Sequence, residues 1–441
     1  MADAAHRQSI GIVMTSAIVV GTIIGSGIFL LPATLAPLGF NAVVGWVVSG
    51  IGALCVAFAL SRIVRPEGGG LQSYVEAGLG PTAGFVVTFA LWVSSWAAMA
   101  ATAVAAAAAV SRIVPALGDA WSVAMVAIGT TIVVAAVNAR GVRAAGSFAL
   151  VTVAIRILPL LAVIAVILLR QAKHQPIAPL APTPITTDNI ASAVTLTLFA
   201  IIGFETGTAP VGKVRNPTRT IPLALMAGTA FCVLLYLFSS TAVSLILSPE
   251  ATAGSLAPYA DALKANWGEG AAELAAVGIT IAAIGGLNSN LLCAGEVGYS
   301  LGLRGDLPGI LARTSGANTP VVAQLLATVL TIVLVLFNTS KSTAELFIFV
   351  SLLTTTSTLV VYVIGALTAL RTRPSPAAIL AIVASILFSL FAFYGAGLEA
   401  NLWGLVLLAV GLAIRWLCHR FTHSRGATSL PAEAQPAAPR E

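Results

Sequence analysis

Gly21-Thr22-Ile23-Ile24-Gly25-Ser26-Gly27-Ile28-Phe29 lies in the middle of an apolar run from Ile10 to Leu38. Three glycines in so short a stretch are a poor way to build a helix, since each costs about 1 kcal/mol relative to alanine. In a bilayer, every backbone amide or carbonyl without a partner costs several kcal/mol. An interrupted helix therefore survives at that depth only where it lines a cavity or meets a ligand that takes up the freed hydrogen bonds. The alternative is that Gly21 and Gly25 form a GxxxG step that lets two helices pack closely. A counterpart to the interruption elsewhere in the chain would favour the cavity.

The composition supplies the bilayer. The chain has 441 residues, of which 58% are hydrophobic and 9% charged, with a mean hydropathy of +0.99. A soluble domain of this size cannot hide that much apolar surface, so the class is an all-α polytopic membrane protein with about twelve transmembrane helices. Spans are expected at 10–38, 41–63, 81–113, 121–138, 146–169, 190–212, 222–248, 271–303, 319–338, 343–370, 377–397 and 401–419. Pro222 suits the first turn of the seventh. The first run is too long for a removable signal peptide and lacks an early small-residue cleavage site.

A net charge of +6 and a pI near 9.4 would suggest a nucleic-acid partner in a soluble protein. Here they follow the positive-inside rule instead. Placing residues 1–9 in the cytoplasm puts most of the 22 lysines and arginines on that side, among them Arg62, Arg65, Arg140, Arg143, Lys213, Arg215, Arg371 and Arg373. Both termini are then cytoplasmic, and the Pro/Ala-rich stretch 423–441 is expected to be a disordered tail. Cys55, Cys232, Cys293 and Cys418 show no paired spacing, so neither a disulfide framework nor a metal site is expected.

The counterpart to the first interruption comes five spans later. The sixth span reads Leu198-Phe199-Ala200-Ile201-Ile202-Gly203-Phe204-Glu205-Thr206-Gly207, again broken by glycine and polar residues. The third and eighth spans are both unusually long. Five spans is an odd number, so a second such unit enters the membrane upside down relative to the first. Paired broken segments in corresponding positions point to a binding site between two inverted units, here 10–169 and 190–370, with 377–419 outside them.

At these residues the chain resembles the amino acid–polyamine–organocation transporters, and most of all the branch of arginine/agmatine and putrescine/ornithine antiporters. The resemblance rests on Gly25-Ser26-Gly27-Ile28-Phe29 with Leu31-Pro32-Ala33, on Gly203-Phe204-Glu205, and on Lys213-Val214-Arg215-Asn216-Pro217-Thr218-Arg219-Thr220-Ile221-Pro222. Thr319-Pro320-Val321 and Ser255-Leu256-Ala257-Pro258 also fit, so it runs over nearly the whole chain. It implies the five-plus-five inverted-repeat fold of the leucine-transporter type, with two extra C-terminal helices. It also implies alternating-access carriage of amino acids or amines across a bacterial inner membrane. The partners expected are a small-molecule substrate and lipid, with a homodimer as an admissible assembly and no cofactor.

A free amino acid carries a carboxylate and an ammonium, and a broken helix offers amides at a half-helix start and carbonyls at a half-helix end. The Ser26 and Gly27 amides beside Gly25, with the Ser26 hydroxyl, would take the carboxylate. Carbonyls near Ile23, Phe199, Ala200, Ile202 and Gly203 would take the ammonium. The resemblance places Phe199 where the antiporters keep a tryptophan over the substrate, and a phenyl ring there gives a weaker cation–π attraction than indole.

The chain departs from the antiporter pattern at four places. Asn290 stands where a tryptophan is usual, Met99 where an asparagine helps bind arginine, Thr22 for another asparagine and Thr354 for a serine. The side-chain compartment thus leaves two cargo classes open, a basic amino acid or amine and a neutral amino acid.

Two ionisable residues lie deep. Glu205 follows the second break, where a carboxylate in low dielectric suits proton coupling, or accepts hydrogen bonds that pin the break. Arg156 is thirteen residues from Arg143 and fourteen from Arg170, too far from either end for easy snorkelling. It resembles the fifth-span lysine of many family members, beside the first break, where sodium sits in sodium-coupled relatives. Arginine does not release its proton, so it would replace the cation without carrying a proton; an ion pair with Glu205 is the structural alternative.

An enzyme is not expected. The four histidines (His6, His174, His419 and His423) lie at or near span ends, with no cluster at metal-ligand spacing and no phosphate-binding loop. Nor does one chain supply the repeated ring of charged or carbonyl groups that a channel needs.

Overall fold

The computed structural model describes residues 11–25, 27–64, 70–139, 145–205, 214, 216–315 and 319–425. Among them the structure is helical, without β-strands. The first half holds α1 (Ile12–Ile23), α2 (Gly27–Leu35), α3 (Phe40–Ser61), α4 (Gly70–Leu79), α5 (Pro81–Ile113), α6 (Ala120–Ala139) and α7 (Ala145–Ala172). There follow α8 (Thr187–Ile201), α9 (Pro217–Ile246), α10 (Pro249–Ala253), α11 (Pro258–Trp267), α12 (Glu269–Leu303) and α13 (Val321–Leu336). The chain closes with α14 (Thr343–Leu370), α15 (Pro376–Gly395) and α16 (Gly397–Arg425).

Among the described residues, nine helices are long and apolar enough to cross a bilayer, and α1 with α2, bent by 51°, makes a tenth. The protein is thus an all-α, multi-pass membrane protein. The expected count of twelve needs α8 and α13 as well, and these have only 15 and 16 residues. At 1.5 Å per residue such helices rise about 22–24 Å, short of a hydrocarbon core about 30 Å thick. The seventh span starts at Pro217 rather than Pro222, which lies inside the helix; Asn216, in the left-handed region at φ 49°, turns the chain into it. α16 runs to Arg425, past the expected start of the tail, and residues 1–10 and 426–441 are outside the described residues.

The long helices α5 and α12, of 33 and 35 residues, pack along each other at the centre. α5 carries the alanine run 105–109, and a Cβ added at Gly298 of α12 would run into Trp92 of α5. Small residues let backbones approach where no hydrophobic effect drives helices together. Around this pair the packing comes in matched sets: α1 with α9 and α3 with α8; α5 with α14 and α12 with α7; α5 with α6 and α12 with α13. α16 stands at the periphery, with 11% of its apolar window buried against 89% for α5.

Candidate substrate site

The first break lies where Ile24 leaves the helical region (φ −70°, ψ 79°), and the helix resumes at Gly27. Ser26 lies outside the described residues. The carbonyls freed at the end of α1 are taken up by donors. Ile23 O accepts from the Gly25 amide at 2.6 Å and from the Tyr236 hydroxyl of α9 at 3.2 Å. Ile24 O accepts from Arg156 Nη1 of α7 at 2.6 Å. Arg156 is only 4% exposed, and its cation stands at the negative end of the α1 dipole. Among the described residues no ion pair joins it to Glu205, the structural alternative; its contact is charge to carbonyl, beside the first break. Its Nε has no hydrogen-bond partner among them.

The second break ends α8. Ile202 turns extended (φ −55°, ψ 139°), and Gly203 takes φ +128°, a conformation L side chains avoid. A Cβ at Gly203 would overlap the Thr22 carbonyl, so the two breaks touch through a contact only glycine allows. Glu205, 3% exposed, folds back so that its Oε2 accepts from the Gly203 amide at 3.0 Å and from the Tyr362 hydroxyl of α14 at 3.1 Å. The Tyr362 ring in turn stacks on Phe204 at 5.3 Å. Gly27 meets the same demand for space: a Cβ there would run into the Phe199 ring, whose other neighbour is Phe347, edge-on at 5.7 Å.

Both breaks face one cavity of about 680 Å³. Thr22, Ile23, Gly25, Gly27, Arg156, Phe199, Ala200, Ile202, Gly203, Glu205, Asn290 and Thr354 all border it. Met99 does not. It is fully buried, while Ala98, about 100° away on the helix, faces the cavity with Thr102. The Ile23 carbonyl, expected to meet an ammonium, already accepts two hydrogen bonds. Sequence reasoning missed Ser94 and Ser95 of α5 and Cys293 of α12, which border the cavity with Ser289, and Ser95 Oγ meets Cys293 Sγ at 3.4 Å. Their helical spacing, small and polar residues at positions 94, 95, 98 and 102 and at 286, 289, 290 and 293, was the available signal.

Thr22 and Ser289 are exposed in the wall, so the cavity is open. It is sealed on the α11 side. Every residue of α2 is buried, Phe29 meets Tyr259 of α11 edge-on at 5.5 Å, and Tyr259 is hydrogen-bonded to Ser239. On the opposite side the start of α1 carries the exposed Ile12, Val13 and Met14. Chemically, the cavity combines a half-helix start, two half-helix ends, one cation and one carboxylate in an otherwise neutral wall.

The sequence profile of the amino acid permease family matches residues 10–412, a range that includes both breaks. The cadaverine/lysine antiporter of Escherichia coli K12 is 28% identical over 346 residues, covering 77% of this chain and 78% of that protein. The putrescine transporter PotE of Haemophilus influenzae is 25% identical over 418 residues, covering 92% and 96%. PotE of E. coli K12 is 24% identical over 424 residues, covering 92% and 95%. With two touching helix breaks around one open cavity, and a profile match over nearly its whole length, this chain belongs to the amino acid permease family.

Proposed function

We propose that the chain is an antiporter that exchanges amino acids or amines, of the basic amino acid and polyamine type, by alternating access and without sodium. The observation that carries the reading is the contact of the two breaks around one open cavity, with Arg156 bound to the Ile24 carbonyl. The substrate carboxylate would sit at the start of α2, at Gly27 and Ser26, and the ammonium at the end of α8, at the Phe199, Ala200 and Ile202 carbonyls. Phe199 would cover it. Relatives named for cadaverine/lysine and putrescine transport support the cargo class.

The matched helix pairings support two inverted units, 10–169 and 190–370, and the excess of Lys and Arg in alternate loops supports a bacterial inner membrane with both termini cytoplasmic. The open side is then the cytoplasmic one. The exposed apolar face of α16 would meet lipid or a second copy of the chain. A fixed guanidinium on a freed carbonyl does electrostatically what a bound sodium does, which removes the need for the ion. The test is labelled lysine uptake into proteoliposomes loaded with cadaverine or left empty, in sodium and in choline buffer. Uptake that needs internal substrate and ignores sodium is expected; uptake that is not stimulated from the far side, or that needs sodium, overturns the reading.

A second reading, a proton-coupled carrier of neutral amino acids, is favoured by one observation. Among the described residues, the wall opposite the breaks includes Ser94, Ser95, Ala98, Thr102, Ser289 and Asn290, with neither an aromatic ring nor a carboxylate to meet a distal ammonium. Competition of lysine uptake by a panel of neutral and basic amino acids separates the two.

A further inference from the structure

We propose that Glu296 forms a second, outer binding station for the ammonium groups of the cargo, at the mouth of the cavity on the side where α12 ends. This rests on the reading of basic amino acids and amines as cargo. The other carboxylates on that side of the cavity are engaged. Glu76 of α4 is bonded to Arg304. Asp306 is held by Arg415 at 2.8 Å, with His419 at 3.4 Å and Arg304 at 3.6 Å. Glu205 is buried and engaged with Gly203 and Tyr362. Glu296 is exposed and makes no ion pair or hydrogen bond among the described residues.

Its position continues the cavity wall. Gly286, Ser289, Asn290 and Cys293 of α12 border the cavity, and Glu296 is the next residue on that helical repeat. Seven residues at 100° each bring it within about 20° of Ser289, and three residues carry it about 4.5 Å beyond Cys293. On its other side Glu296 lies about 40° from the exposed Leu274, so it marks the edge where the cavity face of α12 meets its exposed apolar face.

The open end of α1 faces this mouth, since α2 and α11 close the other. A cation approaching from there meets basic groups first, but Arg304 and Arg415 are already neutralised by Glu76 and Asp306. Further in, Arg156 repels it. An exposed carboxylate between the two raises the local concentration of ammonium groups before the helix ends take over. Neutral cargo gains nothing from it.

The test compares wild type, Glu296→Gln and Glu296→Asp in oriented proteoliposomes, with labelled lysine and cadaverine applied to either face. From the face where α12 ends, Glu296→Gln is expected to raise KM about three- to fivefold with the maximal rate unchanged. Glu296→Asp stays near wild type, the effect shrinks in high salt, and KM from the opposite face does not move. An unchanged KM in Glu296→Gln, with wild type carrying lysine, overturns the station and leaves the cargo reading intact. A fall in maximal rate from both faces, with KM unchanged, marks a packing role and overturns it too. A wild type that carries only neutral amino acids overturns the station together with the cargo reading.

Discussion

The two broken helices solve one problem with opposite charges. At the first break the chain frees carbonyls, and the partners are donors: the Arg156 guanidinium on Ile24 O and the Tyr236 hydroxyl on Ile23 O. At the second it frees an amide, and the partner is an acceptor, the Glu205 carboxylate, which also takes the Tyr362 hydroxyl. Arg156 arrives from a distant helix, whereas Glu205 is two residues from the amide it serves. The first break is therefore held by tertiary packing and the second largely by its own loop. Removing the charged partner should damage the first more than the second.

The largest effect is expected for Arg156→Ala. It leaves a buried carbonyl without its cation, a loss of about 1.5–3 kcal/mol for a charged hydrogen bond, and flux should fall to background. Arg156→Lys should keep part of it, because the charge returns with fewer donors. Normal uptake by a monodisperse Arg156→Ala protein would show that the first break does not depend on a cation.

Gly203→Ala comes next. It strains a backbone at φ +128° and drives a methyl group into the Thr22 carbonyl, separating the two breaks. A cost of about 1–3 kcal/mol and a lower thermal midpoint in detergent should accompany lost transport. An unshifted midpoint would mean that the breaks need not touch.

A smaller change is expected for Glu205→Gln, which keeps a carbonyl oxygen for the Gly203 amide and the Tyr362 hydroxyl. Flux at one pH should fall less than about tenfold, and its dependence on pH should flatten, because the titrating group is gone. A pH profile identical to wild type would make Glu205 a structural acceptor only. Tyr236→Phe should do least. It removes one neutral hydrogen bond, worth about 0.5–1.5 kcal/mol, from a carbonyl that keeps the Gly25 amide, and KM should change by no more than about threefold. A loss as large as that of Arg156→Ala would reverse the ranking of the two donors.

Some parts of the site were legible because their cause is local. Three glycines in one apolar run, and glycine beside glutamate in another, state the cost of a break without reference to any partner. The depth of Arg156 follows from its distance to Arg143 and Arg170 along one helix. Where a local cue had two candidates it misled. Pro217 and Pro222 are both admissible helix starts, and the turn at Asn216 favours the first. At Met99 it is the resemblance that points to the cavity, yet Ala98 borders it, because one step on a helix turns the side chain by about 100°.

By itself the sequence determined the membrane class, the two breaks and the long central helices, since hydropathy and glycine propensity act residue by residue. Only the tertiary structure decided who meets whom. Arg156 reaches Ile24 across 132 positions, and Tyr362 reaches Glu205 across 157. It also decided that Thr22 and Gly203 touch, and that Met99 turns away from the cavity. The physical reason is that a freed carbonyl or amide accepts any suitable partner. Which one it finds is set by the packing of helices far apart in the chain, and the local sequence carries no term for that.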